Sequence, residues 1–132
     1  MTSRDTTREL KVLIFAASLR DESLNKKLAE LAARVAEQAG ATVDLASMCE
    51  FDVPLYDGDL EAEKGVPDAV ETLANKVKTA DAIVISSPEY NKGISGVLKN
   101  AFDWISRVDG MPFKGRPTVV MSANAGRTGG ET

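Results

Sequence analysis

Histidine is absent from this chain of 132 residues. Without it there can be no Ser-His-Asp triad, no Cys-His pair and no His-ligated metal. Any chemistry must come from a carboxylate, lysine, tyrosine or bound cofactor. Cysteine occurs once, as Cys49, so no internal disulfide forms, which fits a reducing cytoplasm. No apolar run approaches the roughly 20 residues that a membrane helix needs. The opening MTSRDTTREL, polar and mixed in charge, lacks the pattern of a secretory signal. There is no basic stripe either. Twenty acidic residues outnumber 16 basic ones, giving a net charge of −4, which argues against a nucleic-acid or anionic-membrane surface.

What is present has the composition of an ordinary soluble globular protein, 43% hydrophobic and 27% charged. The length suits one domain with a real apolar core. Residues 1–9 are expected to form a flexible tail and residues 10–132 the folded domain. Residues 10–17, LKVLIFAA, read as a buried strand. A helix follows in which Leu24, Leu28, Leu31 and Val35 recur at three- and four-residue spacing, with Ser23 as N-cap and Gly40 as stop. Residues 42–47 give a weaker strand. After a turn-rich loop, a helix runs from Pro67 to Thr79 with Val70, Leu73, Ala74 and Val77 on its apolar face. Residues 82–86, AIVIS, form a third strand. Ser95 caps a helix carrying Val97, Leu98, Ala101, Phe102 and Ile105 inward, and residues 117–122 form a fourth strand.

Such alternation predicts an α/β fold with a parallel sheet and right-handed crossovers. The expected form is a flavodoxin-like three-layer sandwich with strand order 2-1-3-4-(5). The chain ends at GRTGGET, where another helix should begin. A fifth strand and the last helices are therefore expected to be missing, as in a C-terminally truncated chain.

Three loops carry the chemistry, each at the carboxyl end of a strand. In the first, Ser18-Leu19-Arg20-Asp21-Glu22-Ser23-Leu24-Asn25, backbone N–H groups at a helix start suit an anion, and Arg20 adds a planar fork for phosphate. The same residues also fit a plain capped helix start. In the second, Ser87-Pro88-Glu89-Tyr90-Asn91-Lys92-Gly93, a stiff proline and a permissive glycine flank an aromatic ring and several hydrogen-bonding groups. It can lie along a flat heterocycle, or simply connect strand to helix. The third, from Ser122 to Gly130, leaves room for a ligand near the backbone but also reads as a flexible loop near a chain end. In open parallel sheets ligands bind at this edge, beside the topological switch point. A phosphate loop next to a stacking loop suits a mononucleotide, and no G-x-G-x-x-G or Walker A motif is present.

ASLRDESLN at 17–25, SPEYNKGISGVLKNAFDW at 87–104 and PFKGRPTVVMSANAGRTGG at 112–130 together resemble the NAD(P)H-dependent FMN reductase family, which includes quinone, azo-dye and chromate reductases. The resemblance covers most of the chain from Lys11 onward. It implies FMN as cofactor and NAD(P)H as co-substrate. Ser18, Arg20, Ser23, Leu24 and Asn25 would hold the phosphate. Pro88, Glu89, Tyr90, Asn91 and Gly93 would line the ribityl chain and ring, and Ser122, Ala123 and Gly126 would approach the ring from the other side. Two departures stand out: Ala17 replaces the usual glycine before the first serine, and Asn124-Ala125 stands where Pro-Gly is common. Neither adds much bulk.

No side chain is expected to be catalytic, because flavin N5 carries the chemistry in such enzymes. The implied function is an oxidoreductase that takes hydride from NAD(P)H and passes electrons to a quinone, an azo compound, free flavin or a similar small acceptor. The implied assembly is a homodimer or homotetramer, without nucleic acid, membrane or metal. A flavodoxin-like electron carrier and an inactive truncated fragment are the competing readings. Phe102 and Trp104 read as packing or interface residues. The run Asp57, Asp59, Glu61, Glu63 reads as a solvated loop.

Overall fold

Four parallel strands, β1 (Lys11–Ala16), β2 (Thr42–Ser47), β3 (Ala82–Ser86) and β4 (Thr118–Met121), form one sheet in the order β2-β1-β3-β4. The structure is a computed structural model that describes residues 9–19, 24–90 and 93–123. Among the described residues four α-helices accompany the strands: α1 (Leu24–Gln38), α2 (Gly58–Lys64), α3 (Asp68–Thr79) and α4 (Gly96–Ile105). This is the expected sandwich in the expected order. The tail at residues 1–8 and the end of the third loop, residues 124–132, lie outside the described residues.

The central strands are continuous in hydrophobicity because each serves two cores. Leu13, Phe15, Ile83 and Ile85 point to one face, where Val70, Leu73, Ala74 and Val77 of α3 and Leu98, Ala101, Trp104 and Ile105 of α4 cover them. Ile14 and Ala16 point to the other face and meet Ala29 and Ala33 of α1. The register aligns Phe15 with Ile85 and Ile85 with Val120, so side chains of one parity share a face across the sheet.

The face of α1 corrects the sequence reading. Leu24, Leu31 and Val35 are exposed, while the helix buries Asn25, Ala29 and Ala33. Alanine and a short amide allow the helix axis to lie close over β1, and a leucine stripe on that face would hold it away. The acidic run is a second correction. It is not an irregular loop but α2, where the Asp57 side chain accepts a hydrogen bond from Asp59 N at 2.9 Å. A short 3-10 turn at Met48–Phe51, also absent from the sequence reading, buries Met48 and Phe51 but leaves Cys49 exposed. Expected caps elsewhere are present: Gly40 has φ +97°, and Ser95 Oγ accepts from Leu98 N at 3.3 Å. In α4, Trp104 is fully buried, whereas Val97 and Phe102 are half-buried.

Among the described residues β4 is paired on one side only. Val119 and Val120, on its two opposite faces, are 56% and 49% exposed. Beside it, Phe102, Ile105, Met111, Pro112 and Phe113 line an apolar groove of about 510 Å³ that reaches Thr118. No helix among the described residues is long and apolar enough to cross a membrane.

Candidate functional site

Hydrogen bonding between strands continues past their ends. Ala17 N donates to Ser86 O at 2.8 Å, and Ser87 N donates to Met121 O at 2.8 Å. These bonds hold the loops after β1, β3 and β4 side by side at the carboxyl edge of the sheet. Asn25, at the start of α1, ties them together. Its Nδ2 donates to Ala123 O at 3.0 Å, while its Oδ1 accepts from Ala123 N at 3.0 Å and from Ser86 Oγ at 2.8 Å. The amide thus engages both backbone groups of Ala123, as a neighbouring strand would. The expected phosphate ligand Asn25 is 3% exposed, and both ends of its amide are engaged within the chain.

Two recesses flank the loop after β3. Ser18 and Tyr90 share one of about 330 Å³ with Ala17, Leu19, Ser95, Gly96 and Val97, between the start of the first loop and the N-terminus of α4. Pro88, Glu89, Gly93 and Ser122 share the other, about 130 Å³, with Ser87, Ile94 and the end of β4. The structure therefore brings together Ser18, Pro88, Glu89, Tyr90, Gly93, Ser122 and Ala123 along one edge. Leu24 is exposed at the first turn of α1. Arg20, Ser23, Asn91 and Gly126 lie outside the described residues. The larger apolar groove at Met111–Lys114 precedes β4 in sequence and reaches that strand's first residue, at the opposite edge of the sheet. It lacks the convergent polar groups of a cofactor site.

Gly93 lines the smaller recess. It is joined to Tyr90 through two 2.9 Å backbone hydrogen bonds. Residues 91–92, between them, lie outside the described residues.

Two serines at the end of β3 shape the site, Ser87, which opens the second loop, and Ser86, which the sequence reading did not single out. Ser87 Oγ accepts from Ser95 N at 3.2 Å and donates to Pro88 O at 3.0 Å, which shapes the turn into α4. Ser86 ends a strand and is fully buried. The signal that could have found Ser86 is two hydroxyls at the end of an apolar strand, since buried hydroxyls need partners.

A polar cluster anchors the segment after the 3-10 turn. Tyr56 N donates to Asn100 Oδ1 at 2.8 Å, and Asn100 Nδ2 donates to Val53 O and Pro54 O. Trp104 Nε1 also donates to Pro54 O, at 2.8 Å, and the Tyr56 ring meets Trp104 edge-on with centroids 4.9 Å apart. Tyr56 OH donates to Glu61 Oε1 at 2.7 Å, and Arg107 Nε donates to the same carboxylate at 3.0 Å. The hydrogen bond to Glu61 holds the Tyr56 phenol above its ordinary pKa. Bonds from Tyr56 and Arg107 hold Glu61 below the usual carboxylate range, against its desolvation.

Glu89 Oε2 and Ser122 Oγ are buried without a hydrogen-bond partner. Both residues line the smaller recess. Buried acceptors left unpaired are costly and mark places where a ligand or ordered water completes the bonding. Among the described residues no cluster of acids and cysteine suits a metal.

Residues 10–132 match the family described as NADPH-dependent FMN reductase. The chain is 38% identical over 124 residues to a quinone reductase of Escherichia coli, spanning 94% of this chain and 65% of that protein. It is 40% identical over 121 residues to an NAD(P)H-dependent FMN reductase of Pseudomonas aeruginosa, spanning 92% and 63%. Its fold matches a flavoenzyme NAD(P)H:(acceptor) oxidoreductase from Paracoccus denitrificans with TM-score 0.74 and 33% identity, covering 89% of this chain and 63% of that one. The chain belongs to the NADPH-dependent FMN reductase family. It spans a little under two thirds of the length of these relatives.

Proposed function

We propose that the chain binds FMN along the carboxyl edge of its sheet and works as an NAD(P)H-dependent oxidoreductase that passes electrons to a small acceptor such as a quinone. One observation carries this reading: two recesses flank the Tyr90 loop, one beside the first loop and one holding the unpartnered Glu89 and Ser122 atoms. A mononucleotide has a matching polarity, with a phosphate at one end and a polar-edged ring at the other. The protein groups present suit it. Ser18 and the backbone of the first loop hold the phosphate, Tyr90 lies against the flat part, and Glu89 with Ser122 faces the ring edge. When bound, FMN supplies hydride acceptance and electron release, which no side chain here could provide. The chain's part is to hold the loops in register through Asn25 and the continued strand bonds, so that two flat rings can meet closely.

The test is absorption spectroscopy of the purified chain with FMN, followed by NADPH without oxygen. A protein-bound flavin band near about 450 nm that bleaches promptly supports the oxidoreductase. A bound flavin that stays oxidised points instead to an electron carrier. Failure to bind FMN refutes the proposal for this chain.

A further inference from the structure

We infer that residues 52–64 form a latch over Trp104, fastened to the end of α4 through Glu61, that opens as a unit in acid while the sheet stays folded. This goes beyond the FMN reading and does not depend on it. Both ends of the segment are rooted in the core. Met48 and Phe51 are buried just before it, and Val70, Leu73, Ala74 and Val77 of α3 are buried after it. Between these roots α2 buries no residue, and Leu55 is 80% exposed. Val53, Tyr56 and Leu60 pack only partly against the core. Polar fasteners hold the segment instead, and they come from α4 and the turn that ends it. Asn100 bonds the backbone at Val53, Pro54 and Tyr56, and Trp104 bonds Pro54 O. Arg107 Nε donates to Glu61 Oε1 and Oε2 at 3.0 and 3.2 Å, and Tyr56 OH donates to the same carboxylate at 2.7 Å. Gly65, with φ +76°, is a joint just past α2. A segment held by few apolar contacts and by polar bonds near water opens more readily than buried strands.

Glu61 is the fastener that acid removes. Tyr56 faces it from the latch and Arg107 from the turn after α4, while Asp57 adds its charge near Tyr56. On α4 itself Asp103 is engaged by Lys99 at 2.6 Å, and Asp59, Glu63 and Lys64 of α2 are exposed. The bonds from Tyr56 and Arg107 favour ionised Glu61 in the closed latch and hold it below the usual carboxylate range. Its hold is therefore complete above that range and is lost as pH falls through the lowered value. The chain has no histidine, so no imidazole titrates on the way down from neutrality. The latch grips the far half of the helix whose start, Ser95 to Val97, walls the larger recess at the carboxyl edge.

Trp104 is the sole tryptophan and is fully buried against Pro54 and Tyr56, so its fluorescence reads closure of the latch. The experiment follows its emission and its quenching by acrylamide in the full chain from neutral pH downward, beside far-ultraviolet circular dichroism. The expected result is a red shift and a severalfold rise in quenching below the ordinary carboxylate range, before any loss of ellipticity. Glu61→Gln should raise quenching already at neutral pH and flatten the response to acid. Glu63→Gln, an exposed acid on the same helix, should follow the wild type. Should Glu61→Gln not fold, Arg107→Gln removes the same pair from the α4 side and is expected to act alike. Tryptophan signal and ellipticity that change together in a single transition overturn the inference, because the latch then has no opening of its own. A Glu61 or Arg107 variant that keeps the wild-type quenching and pH profile overturns it as well. So does a Glu63→Gln effect as large as that of Glu61→Gln.

Discussion

Asn25 shows how one side chain can serve a site from beneath. It is 3% exposed, and its amide satisfies both backbone groups of Ala123 and the hydroxyl of Ser86. Asn25→Ala would strand three polar groups in a buried place. We expect a loss of about 2–3 kcal/mol in urea unfolding, since each unpaired buried group costs on the order of 1–3 kcal/mol before relaxation. A loss below about 0.5 kcal/mol, the range of ordinary surface changes, would sink this account. Tyr56 offers a test by pH. Glu61 has a lowered pKa in the fold, so its contribution is present above the ordinary carboxylate range and disappears as pH falls through the lowered value. The raised Tyr56 pKa works in the opposite limb: its contribution is present below the ordinary phenol range and disappears as pH rises through the raised value. Tyr56→Phe should therefore lower the melting temperature most between about pH 5 and 9, with the two proteins converging in strong acid. A difference that stays constant from neutral pH into strong acid would contradict that linkage.

At the scale of the element, α1 is the informative case. Its sequence carries a leucine stripe at helical spacing, yet Ala29, at 1% exposure, lies against the sheet while Leu31 is 48% exposed. The helix packs on Ile14 and Ala16, and a larger side chain at Ala29 would push into this contact. Ala29→Leu is expected to destabilise by about 1–3 kcal/mol through overpacking. Leu31→Ala should cost less than about 1 kcal/mol, because little of that side chain leaves water on folding. Chemical denaturation of the two variants decides the matter, and the reverse ranking would mean that α1 is rotated about its axis. In α4 the same logic runs smoothly. Ser95 caps the helix, and Leu98, Ala101, Trp104 and Ile105 all face the core.

For the whole molecule, the side of β4 that is unpaired among the described residues sets the behaviour. An edge strand with exposed valines and an adjoining apolar groove is a template for pairing with another chain. Val119→Lys places a charge on that strand at a side chain already 56% exposed. We expect the variant to self-associate less than the wild type in size-exclusion chromatography with light scattering, with its melting temperature nearly unchanged. Identical elution across a hundredfold range of concentration would show that the β4 edge does not drive association. The smaller recess at the carboxyl edge reaches β4 at Val120 and Met121 but not at Val119, so Val119→Lys should alter self-association more than flavin binding.

Much of this organisation was legible in the sequence, because the information is local. Apolar runs at residues 10–17 and 82–86, Ser95 before a helix, and Gly40 after one mark their elements through hydrophobic period and cap chemistry. Strand-helix alternation then dictates a parallel sheet whose carboxyl edge gathers the loops at 18–25 and 87–93. Tertiary structure alone decided three things. It chose alanines over leucines as the buried face of α1, since periodicity gives the stripe but not the distance between helix and sheet. It turned Asn25 inward, because its partners Ser86 and Ala123 lie 61 and 98 residues away. It also left Glu89 and Ser122 unpartnered in one recess, a fact about the ends of two strands that no stretch of sequence contains.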